Sequence, residues 1–305
     1  MYKVSVIIPN YNHCIYLVQR IESVLNQTFQ DFEVIILDDC STDKSRDIIE
    51  KYRSHPKVTQ IVYNSFNSGT TFKQWQKGLV LARGEWIWIA ESDDWCEPTF
   101  LQEVLMPVND IDNGVVISYC QSIIFNDNKI ISYPNLNLMN EEINGVDFIQ
   151  KKMNLSNSIY NASMCVFKKD IAHSLSEVVH FKFCGDWFFW ILLALKGKVH
   201  ISGKCLNYYR KHAGDVTSKR YIDGTFYKEY LEIQDYLSLT QINSKKVYNY
   251  NLVYHYQNIK KVVSNSEIEK SVKKLYKNSL ASDLNILLFK SYVYKKVNSI
   301  KNIFS

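Results

Sequence analysis

Short β-branched runs alternate with helix-spaced apolar positions along the first third of the chain. Val4 to Pro9 and Glu33 to Leu37 are apolar stretches of the kind that form strands buried on both faces of a parallel sheet. Between them Leu17, Ile21 and Val24/Leu25 recur at helical spacing. Ser41 is the expected N-cap of a second helix carrying Ile48, Ile49 and Tyr52, closed by His55-Pro56. Val58 to Tyr63 supplies a third strand. Phe72, Trp75, Leu79 and Ala82 mark a third helix with Gly84 at its C-cap, and Glu85 to Ala90 a fourth strand. Pro98 stands at the expected first position of the next helix. This rhythm predicts an α/β fold with a doubly wound, mostly parallel sheet flanked by helices.

Beyond it, Val115 to Phe125 and Ile130 to Tyr133 flank Asn126-Asp127-Asn128-Lys129 and predict a hairpin. Gly145 to Met153 reads as a helix, Ser163 to Phe167 as a strand, and an aromatic helix runs from about Asp186 to Gly197. After residue 218 the chain turns Lys/Tyr/Asn-rich with helical periodicity and few breakers, which predicts a main domain over 1–218 and a C-terminal helical appendage over 219–305.

Composition removes several classes of protein. Apolar residues at 46% and aromatics at 14% exclude intrinsic disorder. Seven scattered cysteines form neither a disulfide framework nor a zinc-ligand ladder, and read as reduced thiols of a cytoplasmic protein. The longest apolar run, Phe188 to Leu195, is short of the roughly 20 residues a membrane span needs. Residues 1–12 lack a signal peptide's cationic start, so a soluble protein is expected. The net charge of +5 hides a division: residues 1–218 hold 21 basic and 24 acidic side chains, and residues 219–305 hold 15 and 7. All the excess positive charge therefore sits in the tail.

Three polar clusters fall where strands end: Asn10-Tyr11-Asn12, Asp38-Asp39, and Glu91-Ser92-Asp93-Asp94. Ligands of open parallel sheets bind at such ends. Asn and Asp also make ordinary turns, but three carboxylates on one tight turn repel unless a cation or hydrogen-bond donors gather them. Oxygen ligands suit Mg²⁺ or Mn²⁺, whose remaining positions take phosphate oxygens, so the expected ligand is a nucleotide diphosphate. Neither a P-loop nor a Gly-x-Gly-x-x-Gly follows an early strand, leaving the phosphates to metal and cationic side chains. Acidic strand ends also speak against nucleic acid as a partner.

The segments VSVIIPNYNH, EVIILDDCSTD and NSGTTFKQWQKGLVLARGEWIWIAESDDW occur in the order and spacing of the family 2 inverting glycosyltransferases of the GT-A fold, which the chain resembles over roughly residues 3–218. The resemblance implies a nucleotide-binding half (1–110) and an acceptor half (111–218), and a nucleotide-sugar donor, here a UDP-sugar. It implies that Pro9, Tyr11 and Asn12 line the base pocket, with Asp39 on the base and Asp38 beside it. Asp93 and Asp94 match the family's Asp-x-Asp-Asp turn and would contact ribose and the divalent cation; Glu91 stands where the first acid is usually Asp.

Gly185-Asp186-Trp187 resembles the family's Glu-Asp-Trp segment, which makes Asp186 the general base, with Gly185 in place of the Glu. Trp187 would stack on a sugar or belong to the core. Tyr209-Arg210-Lys211-His212 resembles the family's Tyr-Arg-x-His segment, placing Arg210 on the leaving diphosphate and His212 on the phosphates or the metal. The implied work is transfer to a glycan or lipid-linked acceptor in cell-surface polysaccharide synthesis. Residues 285–304 alternate apolar positions with Lys290, Lys295, Lys296 and Lys301. That pattern suits either an anionic membrane surface, with the enzyme peripheral on its inner face, or a helix packed with its lysines in water. The alternatives are a non-catalytic nucleotide- or sugar-binding subunit, and a sugar-nucleotide pyrophosphorylase. The second is disfavoured because Asn10-Tyr11-Asn12-His13 replaces a Gly-rich, Arg-bearing loop.

Overall fold

A computed structural model describes residues 2–108, 113–126, 129–134, 139–212, 223–263 and 265–280. The chain divides into two units, Met1–His180 with Gly185–Ala213, and Phe181–Cys184 with Gly214–Ser305. The expected boundaries at 110/111 and 218/219 and the amphipathic segment 285–304 lie outside the described residues.

In the first unit, β1 (Val4–Asn10) and β2 (Phe32–Asp38) are buried along their whole length. Strands covered on both faces must be apolar throughout, which is why they read as unbroken runs. They alternate with α1 (Cys14–Leu25) and α2 (Ser45–Glu50), and are followed by β3 (Val58–Tyr63), α3 (Thr71–Leu81) and β4 (Trp86–Ile89). The four strands pair in parallel in the order β3-β2-β1-β4. Asn10 lies opposite Asp38, so the ends of β1 and β2 and the turn after β4 share one edge.

The rest of the unit contains β5 (Trp95–Cys96), α4 (Phe100–Leu105), β6 (Val115–Asn126), β7 (Lys129–Ser132), β8 (Glu141–Asn144), α5 (Gly145–Lys152), β9 (Cys165–Lys168), α6 (Leu175–Val178), α7 (Gly185–Ala194) and β10 (Lys198–Lys211). β9 lies between β4 and β6, antiparallel to both, and joins the two halves into one sheet. β10 runs parallel to β6 and antiparallel to β5 and β8. The α/β class holds, but the parallel arrangement is confined to the first four strands and the β6–β10 pair.

Three local expectations change. Ser41 caps no helix: its hydroxyl accepts from Asn10 Nδ2 and the Asn12 N–H, bridging the ends of the first two strands. Gly84 is no C-cap, since α3 ends at Leu81. A Cβ at Gly84 would lie 2.4 Å from the Ser5 nitrogen, so glycine is needed for close backbone approach. Pro98 precedes α4 by two residues, behind Thr99.

The second unit is helical: α8 (Thr225–Leu239), α9 (Lys245–Val262) and α10 (Ser266–Leu280). Tyr230, Ile233 and Leu237 are buried, as are Leu252 and Ile259 on α9 and Val272 and Tyr276 on α10. The Tyr276 hydroxyl donates to the Tyr227 carbonyl, and Glu229 accepts from the N–H groups of Lys182, Phe183 and Cys184. Among the described residues no helix is long and apolar enough to cross a membrane.

Candidate active site

The edge where β1 and β2 end is built from side chains that fasten one loop to the next. Asn12 takes φ 56° and Cys40 φ 63°, a left-handed backbone that Asn adopts more readily than most residues. Asn12 Oδ1 accepts from the N–H groups of Thr42 and Asp43 at 2.7 and 3.3 Å. Asp38 accepts from Asn10 Nδ2 and the Ser41 N–H, both at 3.0 Å, with Arg46 Nε at 3.6 Å. Pro9 is buried inside β1 opposite Leu37. Of the residues expected to line a base pocket, Tyr11 and Asn12 are exposed, Tyr11 at 46%, while Pro9 is buried and the Asn12 carboxamide is tied to the loop after β2.

Asp39 is nearly buried and accepts from Asn64 Nδ2, Gln74 Nε2 and both the N–H and hydroxyl of Ser68. Adjacent aspartates thus differ in task. Asp38 braces the β1–β2 edge, and Asp39 holds the loop leading into α3.

The turn after β4 carries Glu91, Asp93 and Asp94 in three different environments. Glu91 Oε1 accepts from Trp75 Nε1 at 2.8 Å. Burial, then the neighbouring Asp93 charge, push its pKa up to about 8 against the pull of that hydrogen bond. Asp94 is 1% exposed and accepts from Asn161, from the Ser163 hydroxyl at 2.7 Å and from the Arg210 N–H at 2.9 Å. Burial and Asp93 raise its pKa, with buried Arg20 opposing. For Asp93 burial acts upward too, but the His212 hydrogen bond and His13 outweigh it, so its carboxyl is held below the usual range.

The oxygens of Asp94, expected on ribose and the cation, serve Asn161, Ser163 and Arg210 in this structure. Among the described residues, His13, Asp93 and His212 converge, with ligand atoms within 4.8 Å of one another. His212 Nε2 sits 3.1 Å from Asp93 Oδ2, and the His13 and His212 rings are 5.5 Å apart. Burial lowers the His13 pKa, which favours the neutral imidazole. A carboxylate and two imidazoles make a donor set that fits a divalent cation.

Arg210 is tied into the same turn. Its guanidinium is stacked between Tyr16 and Trp95, 4.5 Å from each ring, while Nε donates to the Asp93 carbonyl and Nη2 to Gln19. It pins the backbone of Asp93 to α1.

Asp186 lies in the first turn of α7, and its Oδ2 accepts from Asn157 Nδ2 at 3.0 Å. Trp187 is buried and donates to the Met153 carbonyl, so it belongs to the core, not to a sugar platform. Trp190, one turn after Asp186, packs 6.0 Å from Trp75, the same indole that holds Glu91. The segment 157–163 completes the link: Asn157 reaches Asp186, whereas Asn161 and Ser163 reach Asp94.

Sequence reasoning missed the residues that serve the acidic turn. Arg20 is fully buried, donates to the Glu91 carbonyl at 2.8 Å and lies 4.0 Å from Asp94. Its signal was an arginine inside the apolar stripe Leu17-Ile21-Val24. His13, Trp75, Asn161 and Ser163 carried no comparable mark, because their roles exist only once distant strands are paired.

The profile of glycosyl transferase family 2 matches residues 5–175. Among curated proteins, the chain is 33% identical over 114 residues to glycosyltransferase GlyG of Streptococcus pneumoniae, covering 37% of this chain and 38% of that one. It is 35% identical over 121 residues to the poly(ribitol-phosphate) beta-N-acetylglucosaminyltransferase TarS of Staphylococcus aureus, covering 38% of this chain and 21% of TarS. The matches thus span well under half of those relatives. Among solved structures, S. aureus TarS 1–349 in complex with UDP-GlcNAc superposes with a TM-score of 0.69 at 18% identity, covering 94% of this chain and 84% of that one. A mannosyltransferase of Pyrobaculum calidifontis in complex with GDP-Man and Mn²⁺ gives 0.55 at 12%, covering 96% and 80%. These place the fold among GT-A glycosyltransferases. A sequence match that runs from β1 to the start of α6 takes in more than half of the residues, and the chain belongs to glycosyl transferase family 2.

Proposed function

We propose that the chain is an inverting glycosyltransferase that moves a sugar from a nucleotide diphosphate sugar, a UDP-sugar, to a hydroxyl of a glycan or lipid-linked glycan in cell-surface polysaccharide synthesis. The observation that carries this reading is the segment 157–163, which holds Asp186 through Asn157 and the acidic turn through Asn161 and Ser163. A base and a phosphate-and-metal turn fixed to one short piece of chain are what a displacement between two bound substrates requires. The TarS complex with UDP-GlcNAc supports the choice of UDP.

Inversion takes a single displacement. The acceptor oxygen attacks the anomeric carbon from one side while the bond to the diphosphate breaks on the other, and UDP leaves with the electron pair. Asp186 accepts the hydroxyl proton, a task needing a carboxylate within hydrogen-bond reach. Asp93 and His212 would hold a divalent cation, Mn²⁺ or Mg²⁺, which supplies positive charge to the departing diphosphate when bound. Arg210 and Arg20 keep the backbone of that turn in place. Tyr11 and Asp39 would receive the base. The chain would work in the cytoplasm, with the basic segment 285–304 as the contact to an anionic membrane face.

Asp186→Asn is expected to keep UDP binding within a few-fold while losing about 10²–10⁴ in turnover. Calorimetry with UDP, UDP release from a panel of UDP-sugars, and product anomer configuration by NMR test the scheme. Wild-type turnover in Asp186→Asn removes the base. Binding of UDP with no release from any donor makes the chain a non-catalytic nucleotide-binding subunit.

A further inference from the structure

The side chain of His13 is not used by the helix it precedes. It occupies the N-cap position of α1, where Ser, Thr, Asp or Asn normally accept a backbone N–H, and its side chain makes no such bond. The ring instead faces the acidic turn. Nδ1 lies 2.8 Å from the hydroxyl of Ser92, a residue 2% exposed and flanked by Glu91 and Asp93. A ring nitrogen engaged by a fixed hydroxyl sets the orientation of the imidazole, as an outer partner orients a ligating histidine. The three ligand atoms of His13, Asp93 and His212 span no more than 4.8 Å. A cation with bonds of roughly 2.0–2.4 Å can bridge that distance.

We infer that His13 is a third protein ligand, and that two imidazoles with one carboxylate make the site selective for a transition-metal dication over Mg²⁺. The inference deepens the proposed function and rests on its metal site. Mg²⁺ takes oxygen ligands and gives up water reluctantly, whereas imidazole suits later dications increasingly along the series from Mn²⁺ to Co²⁺. Two nitrogen donors therefore weight the site against Mg²⁺, and three protein ligands leave the remaining positions for water and diphosphate oxygens.

The test titrates Mn²⁺, Co²⁺ and Mg²⁺ into the full chain with UDP, by calorimetry and by pulsed EPR of bound Mn²⁺. Wild type, His13→Ala, His13→Gln and Asp93→Asn are compared, with thermal unfolding to show that each variant is folded. The wild type is expected to bind Co²⁺ and Mn²⁺ ahead of Mg²⁺ and to show two imidazole nitrogen couplings. His13→Ala should lose one coupling and weaken Mn²⁺ at least about tenfold, the loss typical even of an outer partner. His13→Gln, which supplies an amide oxygen, should narrow the preference for Mn²⁺ over Mg²⁺.

If His13→Ala binds Mn²⁺ as the wild type does while Asp93→Asn does not, the inference fails and the metal site of the proposed function stands. If the wild type binds none of the three cations, both the metal site and the inference fail. UDP release without added metal then shows that the transferase reading survives alone.

Discussion

Asn157 makes one hydrogen bond to Asp186, at a position where Gly185 offers no side chain to help. A carboxylate whose Oδ2 is fixed has a defined orientation toward an incoming hydroxyl, and misplacement of a base by about an ångström can cost on the order of 10²-fold in rate. Asn157→Ala should therefore lower kcat by about tenfold or more while leaving UDP affinity unchanged. Steady-state kinetics beside UDP calorimetry separate the two, and a loss confined to UDP binding would contradict the positioning role. At this scale the sequence was partly legible. Asp38, Asp39, Asp93 and Asp186 were visible as acids at element ends, but which oxygen serves scaffold and which serves chemistry depends on partners far along the chain. Asp94 is the clearest case: Asn161, Ser163 and Arg210 meet it only because β9 and β10 fold back beside the turn.

At the scale of elements, α3 leads into β4 through Ala82-Arg83-Gly84, and the turn packs directly on the start of β1. The Ser5 hydroxyl accepts from the Gly84 N–H at 2.7 Å, and a Cβ there would meet the Ser5 and Val4 backbone. Backbone cannot swing aside as a flexible side chain can. Gly84→Ala should destabilise the protein by about 1–3 kcal/mol, read from denaturant midpoints, with residual folded protein keeping its UDP affinity. Of the strands before this turn, β1 and β2 were legible because they are buried on both faces. β10 was not: Lys198, Lys204, Tyr208, Arg210 and Lys211 interrupt any apolar run, and the strand exists because β6, β8 and β5 pair with it. The capping role expected of Ser41 failed for a related reason, since the residue is claimed by a neighbouring strand end rather than by its own helix.

For the molecule as a whole, the sheet edge opposite the active site is closed by one buried acid. Glu33 accepts from the Ser5 hydroxyl at 2.7 Å, the Thr59 hydroxyl at 2.9 Å and the Arg83 N–H at 2.8 Å, with the Arg83 guanidinium paired to it. Burial alone would raise its pKa, but these hydrogen bonds prevail and hold it below the usual carboxylate range. The sign follows: Glu33 contributes stability above the unfolded value of about 4.3, and that contribution is lost as pH falls through its lower folded value. Glu33→Gln should be less stable than wild type near neutral pH by about 1.5–3 kcal/mol, and the gap should narrow at acid pH, below the unfolded value of about 4.3. Urea titrations at both pH values check this, and a gap independent of pH would contradict it.

The short stretch from Asn157 to Ser163 touches both Asp186 and Asp94, so under the proposed function a substitution within it would be felt at the base and at the metal-side turn together.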